Sequence, residues 1–361
     1  MTTSTIASSH ASLPPPLRTA PDMGASWYDG DLSFDSAAER IIQAHHRDGE
    51  SRDLPIPDLR TWGVVPLEGR FGLAPLGHHH PPRLLRSAAF SNLAARLGAP
   101  VEFVRDRLPA PLQIATMNWL LSASDQAVAG NLRLRGEEVA ALVSDRYAPL
   151  DAEELLSSVR DALIRHGALD DVRVRSVATG LVDVIRLVFP SETVAVKVGD
   201  VSALGVDLSS SSFAKSAIHI RGILWRLRCT NGLRVAEAQG SFSFRHVGES
   251  RRLRDGISEA IPSALVAARG TMGRWKAAVD IMVENVAEQI ERLRELTMAE
   301  KQLVTTEVKK AASSTVLPAH MSLYELVNAV TAAAHDVAPA RRIEIESLAG
   351  EMLVHPTRGT A

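Results

Sequence analysis

Arginine recurs at alternate positions inside short apolar runs of this chain. The clearest pairs are Arg133 with Arg135, Arg173 with Arg175, and Arg226 with Arg228. Side chains alternate between the two faces of a β-strand, so both members of a pair would leave the strand on the same face. A planar guanidinium is suited to bidentate contact with a phosphate group. The spacing therefore predicts a cationic sheet face that could bind a polyanion.

Charge is also distributed unevenly along the sequence. The whole chain has 40 Lys or Arg and 42 Asp or Glu, whereas the segment from Val172 to Arg254 has 13 basic and 6 acidic residues. Such segregation is typical of nucleic-acid contact, although a solvated sheet face covered by carboxylates from elsewhere fits the same counts. We predict that the following residues contact nucleic acid: Arg133, Arg135, Arg173, Arg175, Arg186, Lys197, Arg226, Arg228 and Arg234.

The chemistry of such contacts would be phosphate neutralisation, which gives affinity without reading a base sequence. Tyr147, Phe213 and Trp225 are the aromatic residues that could stack on bases, and Trp225 fits a core position better. The expected partner is single-stranded DNA, and its affinity should fall steeply with salt.

Catalytic and metal chemistry have weaker support. His78–His80 are consecutive and cannot all ligate one tetrahedral ion, while His45 and His46 lack the i, i+4 spacing of zinc enzymes. Asp151, Glu153 and Glu154 are better explained as a helix cap and an acidic first turn than as a magnesium site. No P-loop or nucleophile elbow is present. We predict no catalytic residue, metal or cofactor, and a metal-dependent enzyme is the least favoured alternative.

Composition indicates a globular protein of two or more packed units. The chain has 361 residues, of which 45% are hydrophobic and one is a cysteine, Cys229. A single cysteine excludes an internal disulfide and fits a reducing compartment. No apolar run approaches the ~20 residues that a membrane span requires, and the first residues do not resemble a secretory signal. We predict a cytoplasmic protein with no membrane partner.

The pattern of elements predicts an α+β fold in four regions. Residues 1–26 are rich in Ser, Thr, Ala and Pro and should form a disordered tail. Residues 27–130 should form an irregular and helical lead-in, with short helices near 36–44, 85–97, 101–107 and 113–121. Residues 131–255 should form a central domain with a basic antiparallel sheet. Residues 256–361 should be helical.

The central domain has the clearest local signals. Residues 131–143 predict a hairpin, and a helix should begin after Asp151 and end at Gly167. Strands should then follow at 172–178, 182–189 and 194–198, with a β-rich stretch over 204–235 and an edge strand over 241–247.

The last third contains an apolar seam with three-four spacing, which is suited to packing against another helix. Its members are Trp275, Val279, Met282, Val286, Ile290 and Leu293. Packing within the chain is the more frequent explanation of such a seam, and a homo-oligomer is the alternative. A structural or protein-interaction oligomer with no nucleic-acid role would use the same surface.

Several short stretches are similar to the phage/plasmid-like proteins grouped as domain of unknown function 932. They include Leu97–Pro100, Leu132–Arg135 with Val143–Tyr147, Leu227–Leu233, Leu326–Thr331 and Glu346–Gly350. The chain departs from the family before Cys229, where Ser209–Ser212 and Ala214 replace an Asn-Ser and a following Gly. The resemblance implies association with mobile genetic elements.

The predicted order of helix, basic antiparallel sheet and further helices also resembles the core of phage-type single-strand annealing proteins. Those proteins hold single-stranded DNA along a groove lined by Arg and Lys. The resemblance implies non-enzymatic binding or annealing of single-stranded DNA in recombination or replication, although a fold does not by itself establish a function.

Overall fold

The computed structural model describes residues 14–24, 26–77, 80–123, 130–197, 200–226, 232–234 and 240–355. The strands are β1 (Ser26–Leu32), β2 (Ser51–Ile56), β3 (Trp62–Leu67), β4 (Arg70–Pro75), β5 (Arg83–Leu84), β6 (Gly130–Arg135), β7 (Glu138–Val143), β8 (Arg173–Thr179), β9 (Asp183–Lys197), β10 (Asp200–Ser210), β11 (Ile218–Arg226), β12 (Gly232–Arg234), β13 (Ser241–Phe244), β14 (Met282–Glu284) and β15 (His320–Ser322). The helices are α1 (Phe34–Asp48), α2 (Ser87–Arg96), α3 (Val101–Asp106), α4 (Ala110–Ala123), α5 (Ala152–Arg165), α6 (Ser250–Ala277), α7 (Val286–Arg292), α8 (Met298–Ala311), α9 (Leu323–Ala333) and α10 (Pro339–Val354).

These elements form two compact units that interleave in sequence. The first contains the described residues of Met1–Asp22 and Asp48–Arg146, and the second those of Met23–Arg47 and Tyr147–Ala361. Both units combine helices with antiparallel strands, so the predicted α+β class is confirmed. The division differs from the predicted boundaries, because β1 and most of α1 belong with the later sheet.

The first unit contains two small sheets, β2-β6-β7 and β3-β4-β5, packed with α2 and α4 around one apolar core. The β3–β4 hairpin turns at Glu68 and Gly69, which both have positive φ, as a two-residue type I′ turn requires. Leu17 and Ala20 are buried in this unit, so these residues of the predicted tail are ordered against it.

The second unit is built on a seven-stranded sheet in the order β1-β8-β9-β10-β11-β12, with β13 also paired to β11. Apolar residues of one sheet face, including Leu187 and Val206, pack with α1, α5 and α6. At Gly222 the sheet approaches α6 closely: a Cβ placed there would lie 2.4 Å from the carbonyl oxygen of Ala264. A second apolar cluster joins the end of α6 to α7, α8, α9 and α10.

Most predicted elements of the central domain are confirmed, including the β6–β7 hairpin, the start of α5 after Asp151 and the strand at 241–244. Asp151 is the N-cap residue of α5, but its side chain makes no capping hydrogen bond. The two strands predicted at 182–189 and 194–198 form one long strand, β9, whose pairing with β10 is shifted around Pro190. Residues 27–75 were expected to be irregular, but β1 to β4 and α1 occupy most of this range. Pro55 and Pro66 each lie one residue before the end of a strand, where the missing N–H group is tolerated.

The apolar seam is divided among three elements rather than forming one helix. Helix α6 ends at Ala277, Met282 begins strand β14, and Asn285 adopts a left-handed conformation before α7. Trp275, Val286 and Ile290 are buried in the core of the second unit, with Val279 and Leu293 packed against it. These residues therefore pack within the chain, which is the more frequent explanation of such a seam. The prediction of one continuous interhelical seam is wrong.

Candidate functional site

The predicted arginines do not share one exposed sheet face. Arg133 and Arg135 lie in the first unit on β6, where both are buried. Arg133 donates to both carboxylate oxygens of Asp53 at 3.1 Å, and Arg135 donates to the carbonyl oxygen of Gly49 at 3.4 Å. Arg133 therefore links β6 to β2, and Arg135 links β6 to the residues that precede β2. Both links lie inside the first unit.

Arg186 lies at the centre of the second unit's sheet and is 1% exposed. Its Nη1 donates to Oε1 of Glu346 at 2.9 Å, and its Nε donates to Oδ2 of Asp207 at 3.3 Å. The guanidinium carbon also lies 5.0 Å from the ring centre of Trp27. Arg186 is therefore enclosed by two carboxylates and an aromatic ring, and a phosphate cannot reach it in this conformation.

Arg186 belongs to a row of polar residues that crosses the sheet from edge to edge. Successive members are direct partners in the strand register. The row, called the polar row below, is Asp29, Ser176, Arg186, Asp207, Arg221 and Ser241. Antiparallel pairing places such partners side by side on one sheet face. The row therefore forms a polar strip between apolar residues of neighbouring strands.

Helix α10 supplies the charges that complete this strip. Arg342 donates to Glu346 at 3.0 Å and to Asp29 at 3.2 Å, and its guanidinium carbon lies 4.5 Å from the ring centre of Trp27. Ser347, one residue after Glu346, accepts from Nη1 of Arg221 at 2.9 Å. Buried ions are stable only when partners satisfy them, so the sheet and α10 depend on each other.

The network also perturbs two titratable groups. Burial raises the pKa of Asp29, but hydrogen bonds from Ser176, Trp27 and Arg342, together with the charge of Arg342, outweigh burial and leave that pKa below its ordinary value. Burial lowers the pKa of His335, and the nearby positive charge of Arg342 lowers it further. The network therefore favours a charged Asp29 and a neutral His335.

The remaining predicted arginines have different surroundings. Arg173 donates to the carbonyl oxygens of Asp170 and Val172, and the half-buried Arg175 pairs with Asp31 at 3.0 Å. Arg228 lies outside the described residues, and Arg234 is described only by its backbone in β12.

Two predicted residues, Lys197 and Arg226, do come together at the end of the sheet. The ammonium of Lys197 lies 5.1 Å from the ring centre of Tyr324, and the guanidinium carbon of Arg226 lies 5.8 Å from it. Lys197 is 41% exposed and pairs with Glu325 at 3.3 Å. Arg226 donates to Asp200 at 2.7 Å, and the hydroxyl of Tyr324 donates to the same carboxylate.

These residues line two adjoining clefts of about 370 and 360 Å³ that share Lys197 and Glu325. Lys310 of α8 lines the second cleft with its side chain 66% exposed, and pairs with Glu307. We call the two clefts together the lysine groove, with Lys197, Arg226, Lys310, Tyr324 and Glu325 as its defining residues.

The arginine of the lysine groove and its two lysines differ in how their ion pairs are placed. Burial raises the pKa of Asp200, but hydrogen bonds from Arg226 and Tyr324 and the charge of Arg226 outweigh it and lower that pKa overall. Burial and the bond to Asp200 raise the pKa of Tyr324. Arg226 is therefore held in an ion pair with a charged Asp200. Lys197 and Lys310, in contrast, form exposed ion pairs that exchange easily with solvent.

The aromatic residues that were considered for base stacking lie elsewhere. Phe213 and Trp225 are both buried, as the prediction for Trp225 required, and the ring of Tyr147 stacks on His246 with a centroid distance of 5.3 Å. Phe213 instead lies beside His45, which bonds to Asp183 at 2.6 Å.

Within the described ranges, no group of three or more His, Cys, Asp or Glu side chains is placed to hold a metal ion. His78, His79 and Cys229 lie outside those ranges. Among the helices that the structure describes, none is both long and apolar enough to cross a membrane.

Sequence reasoning missed most of the polar row and the partners on α10. One signal was present: Arg186 and Asp207 are each flanked by apolar residues on both sides, which indicates a charged residue inside a buried strand. Arg342 and Glu346 also have the i, i+4 spacing of a helical ion pair. The pairing of Arg186 with Glu346, 160 positions apart, follows only from the tertiary fold.

The fold and site together define an α+β protein whose antiparallel sheet carries a buried ion network closed by its last helix. The model of the family described as a domain of unknown function (DUF932) matches residues 139–351. This match covers more than half of the chain, which therefore belongs to that family. It begins in β7 and includes the polar row from Ser176 onward, but Leu97–Pro100 and Leu132–Arg135 precede it. No curated protein and no solved structure matches the chain.

Proposed function

We propose that this protein binds single-stranded nucleic acid in the lysine groove and does not catalyse a reaction. One observation carries the proposal: Lys197, Arg226 and Lys310, from β9, β11 and α8, line a single concave surface. Positive side chains from separate elements that converge on one groove are suited to following a phosphate backbone.

Acidic neighbours do not prevent this function. Lys197 pairs with Glu325 and Lys310 with Glu307 near the protein surface, where such pairs are worth at most about 1 kcal/mol. A phosphate can therefore take the place of either carboxylate at little cost. Arg226 keeps its bonds to Asp200, so this ion pair stays in place beside the two lysines.

The form of the groove favours a single strand over a duplex. Duplex DNA is stiff over about 150 base pairs and bends at considerable cost, whereas a single strand can follow clefts of about 360 to 370 Å³. Contacts would be made mainly with phosphates, because Tyr324 is buried and cannot stack fully on a base.

We also propose a cellular role and a location for this binding activity. The resemblance to phage/plasmid-like proteins supports a role in recombination or replication of a mobile element. A single cysteine in 361 residues is consistent with a protein that acts in the cytoplasm. We further propose that several copies assemble along one strand, which light scattering with and without oligonucleotide can measure.

The proposal is tested by binding of a fluorescent oligothymidine across a salt series. We expect affinity to fall steeply with salt for the unmodified protein. The double variant Lys197→Ala and Lys310→Ala should bind more weakly, and the slope of log affinity against log salt should decrease by about 1.4, since each neutralised phosphate contributes roughly 0.7 for a single strand.

A matched control removes two exposed lysines of the same unit that do not line the groove, Lys215→Ala and Lys276→Ala. It should keep the original slope, while Glu307→Gln should tighten binding because it frees Lys310. Equal losses in both double variants, or an affinity independent of salt, would contradict the proposal.

A further inference from the structure

Helix α4 of the first unit is apolar on two opposite faces. Gln113, Met117 and Leu121 of its inner face are buried, and the last two belong to the core of that unit. On the outer face, Leu112 is 53% exposed and Trp119 is 65% exposed. A helix that is apolar all round is normally covered on every side, and Trp is enriched where proteins contact each other. The outer face therefore indicates a second contact of α4.

Polar side chains on the flanks of α4 hold this face in place. Asn118 accepts from the backbone N–H of Val64 at 2.7 Å and donates to the carbonyl oxygen of Val64 at 2.9 Å, which attaches α4 to β3. Gln113 accepts from the N–H of Leu17 and donates to the carbonyl oxygen of Arg105, both at 2.7 Å. A surface that is already ordered loses little conformational freedom when a partner covers it. The outer face is therefore preorganised for binding.

The spacing of the outer face has the symmetry of a two-fold contact. We call this surface, which consists of Leu112, Ala115, Thr116 and Trp119, the α4 face. Leu112 lies three residues before Ala115, and Trp119 lies three residues after Thr116. Large side chains thus stand at both ends and small ones in the middle, whichever way the helix is followed. A two-fold axis through the middle would bring each Trp119 against Leu112 of a second copy, and the small residues would let the two helices approach closely.

The charge of α4 also favours a second copy as the partner. The helix Ala110–Ala123 contains no Lys, Arg, Asp or Glu, so it offers no counter-charge to a phosphate backbone or to a charged peptide. Two copies of an uncharged face do not repel each other, as two copies of a charged face would. Antiparallel α4 helices also place the positive end of each helix dipole beside the negative end of the other.

The exposed apolar area is sufficient for a reversible dimer. Leu76 extends the α4 face, because a Cβ placed on Gly63 would lie 2.9 Å from Leu76 and 3.5 Å from Asn118 of α4. Leu76 is 56% exposed, and with Leu112 and Trp119 it presents roughly 300 Å² of apolar surface. Two copies would bury about 600 Å² of this surface, and polar neighbours bring the total toward the ~1,000 Å² at which specific interfaces begin. So small an interface implies a dimer that dissociates on dilution.

We infer that two copies of this protein form a two-fold dimer in which their α4 helices cross in antiparallel orientation. Trp119 of each copy packs against Leu112 of the other, and Ala115 lies at the crossing point beside Ala115 of the second copy. This contact needs no nucleic acid, so the inference does not rest on the proposed function.

Sedimentation of the full-length protein without nucleic acid, from about 1 to 100 µM, tests whether the dimer forms. We expect the average mass to rise from 38.9 kDa toward twice that value. Trp119→Gln keeps a good helix former on α4, and it should move the midpoint to a concentration at least about tenfold higher. The control Val266→Gln changes an apolar residue that is 63% exposed in the second unit, and it should leave the midpoint unchanged.

Disulfide formation tests the geometry of the crossing. In a Cys229→Ser background, Ala115→Cys would place two thiols where closely packed helices bring Cα atoms within about 6 Å, which a disulfide can bridge. Ser122→Cys is the matched control, because Ser122 is also exposed on α4 but an antiparallel crossing keeps its two copies roughly 20 Å apart. We expect oxidation to give a covalent dimer with Ala115→Cys and none with Ser122→Cys.

Three results would overturn the inference. A monomer over the whole concentration range would leave the α4 face to a different partner. A dimer that Trp119→Gln does not weaken would use another surface. A covalent dimer with Ser122→Cys but not with Ala115→Cys would contradict the antiparallel crossing.

Discussion

At the residue scale, several arginines on the strands of this protein serve as buried or half-buried ionic partners. Arg133, Arg186 and Arg226 each bond to a carboxylate on a neighbouring strand or a distant helix. Alternating arginines can form an exposed cationic face, or they can point into buried ion networks of this kind. The arginine spacing is the same in both situations. They differ only in where the partner carboxylates lie, and those carboxylates come from residues far away in sequence.

His335 is a partly buried histidine whose lowered pKa links the stability of the fold to pH. Its pKa lies below the ordinary value of 6.5, first because of burial and then because Arg342 is close, with Arg186 adding to the same effect. Asp29 and Glu346 act in the opposite direction but do not reverse it. The folded protein therefore binds this proton less readily than the unfolded chain.

From this difference we expect the free energy of unfolding to decrease as pH falls below about 6.5, where the unfolded chain takes up the proton first. The contribution is complete above that pH and is lost as pH drops toward the folded-state pKa. Urea denaturation between about pH 7.5 and pH 5.5 should show a smaller decrease for His335→Gln than for the unmodified protein.

His166, an exposed histidine at the end of α5, provides the comparison for that experiment. The variant His166→Gln should follow the pH dependence of the unmodified protein. If His335→Gln does the same, burial of His335 has no part in the acid response.

At the element scale, the attachment of α10 to the sheet depends on the ions beneath it. Removing Arg186 leaves the carboxylates of Asp207 and Glu346 together in a buried site. Breaking one member out of a buried ion pair typically costs about 3–5 kcal/mol. We expect Arg186→Met to lower the free energy of unfolding by about that amount, as measured by urea denaturation.

Two comparisons show whether burial of the charges is the cause. Arg175→Met breaks a half-exposed pair with Asp31 and should cost no more than about 1 kcal/mol. Adding Asp207→Leu to Arg186→Met should recover part of the loss, because Glu346 keeps Arg342 as its partner and no carboxylate is left without a cation. A double variant less stable than Arg186→Met would mean that packing, not charge, holds α10.

Elements with strong local signals could be predicted from the sequence, and elements defined by their partners could not. The β6–β7 hairpin has a turn glycine, Gly136, and α5 has Glu153 and Glu154 in its first turn, and these signals act locally. The seam from Trp275 to Leu293 has helical spacing, yet Asn285 interrupts it and Met282 pairs with β15. Spacing alone cannot show such a break, because apolar residues of successive elements fill one core.

The candidate site was predictable in part for the same reason. Lys197 and Arg226 were identified by charge and position in strands, and the fold places them on one groove with Lys310. Lys310 itself carried no signal, since it belongs to a helix 84 residues beyond Arg226. Grooves formed by distant elements emerge only when the chain is folded.

At the scale of the whole molecule, the two units are not consecutive segments of the chain. The second unit begins with residues 23–47, leaves the first unit's 48–146 as an insertion, and resumes at Tyr147. The early segment supplies β1, which pairs with β8, and the part of α1 that includes the buried Phe34 and Ile41. It also supplies Trp27 and Asp29 to the ion network.

This arrangement implies that the second unit needs its early segment to fold. A fragment of residues 147–361 would expose the edge of β8 and part of the core under α1, and would leave Arg342 without Asp29. We expect it to lack a cooperative urea transition. Joining residues 23–47 to 147–361 through about 20 Gly and Ser residues, which span roughly 25 Å, should restore that transition. A cooperative transition in the fragment alone, equal to that of the joined form, would show that β1 and α1 are accessory to this unit.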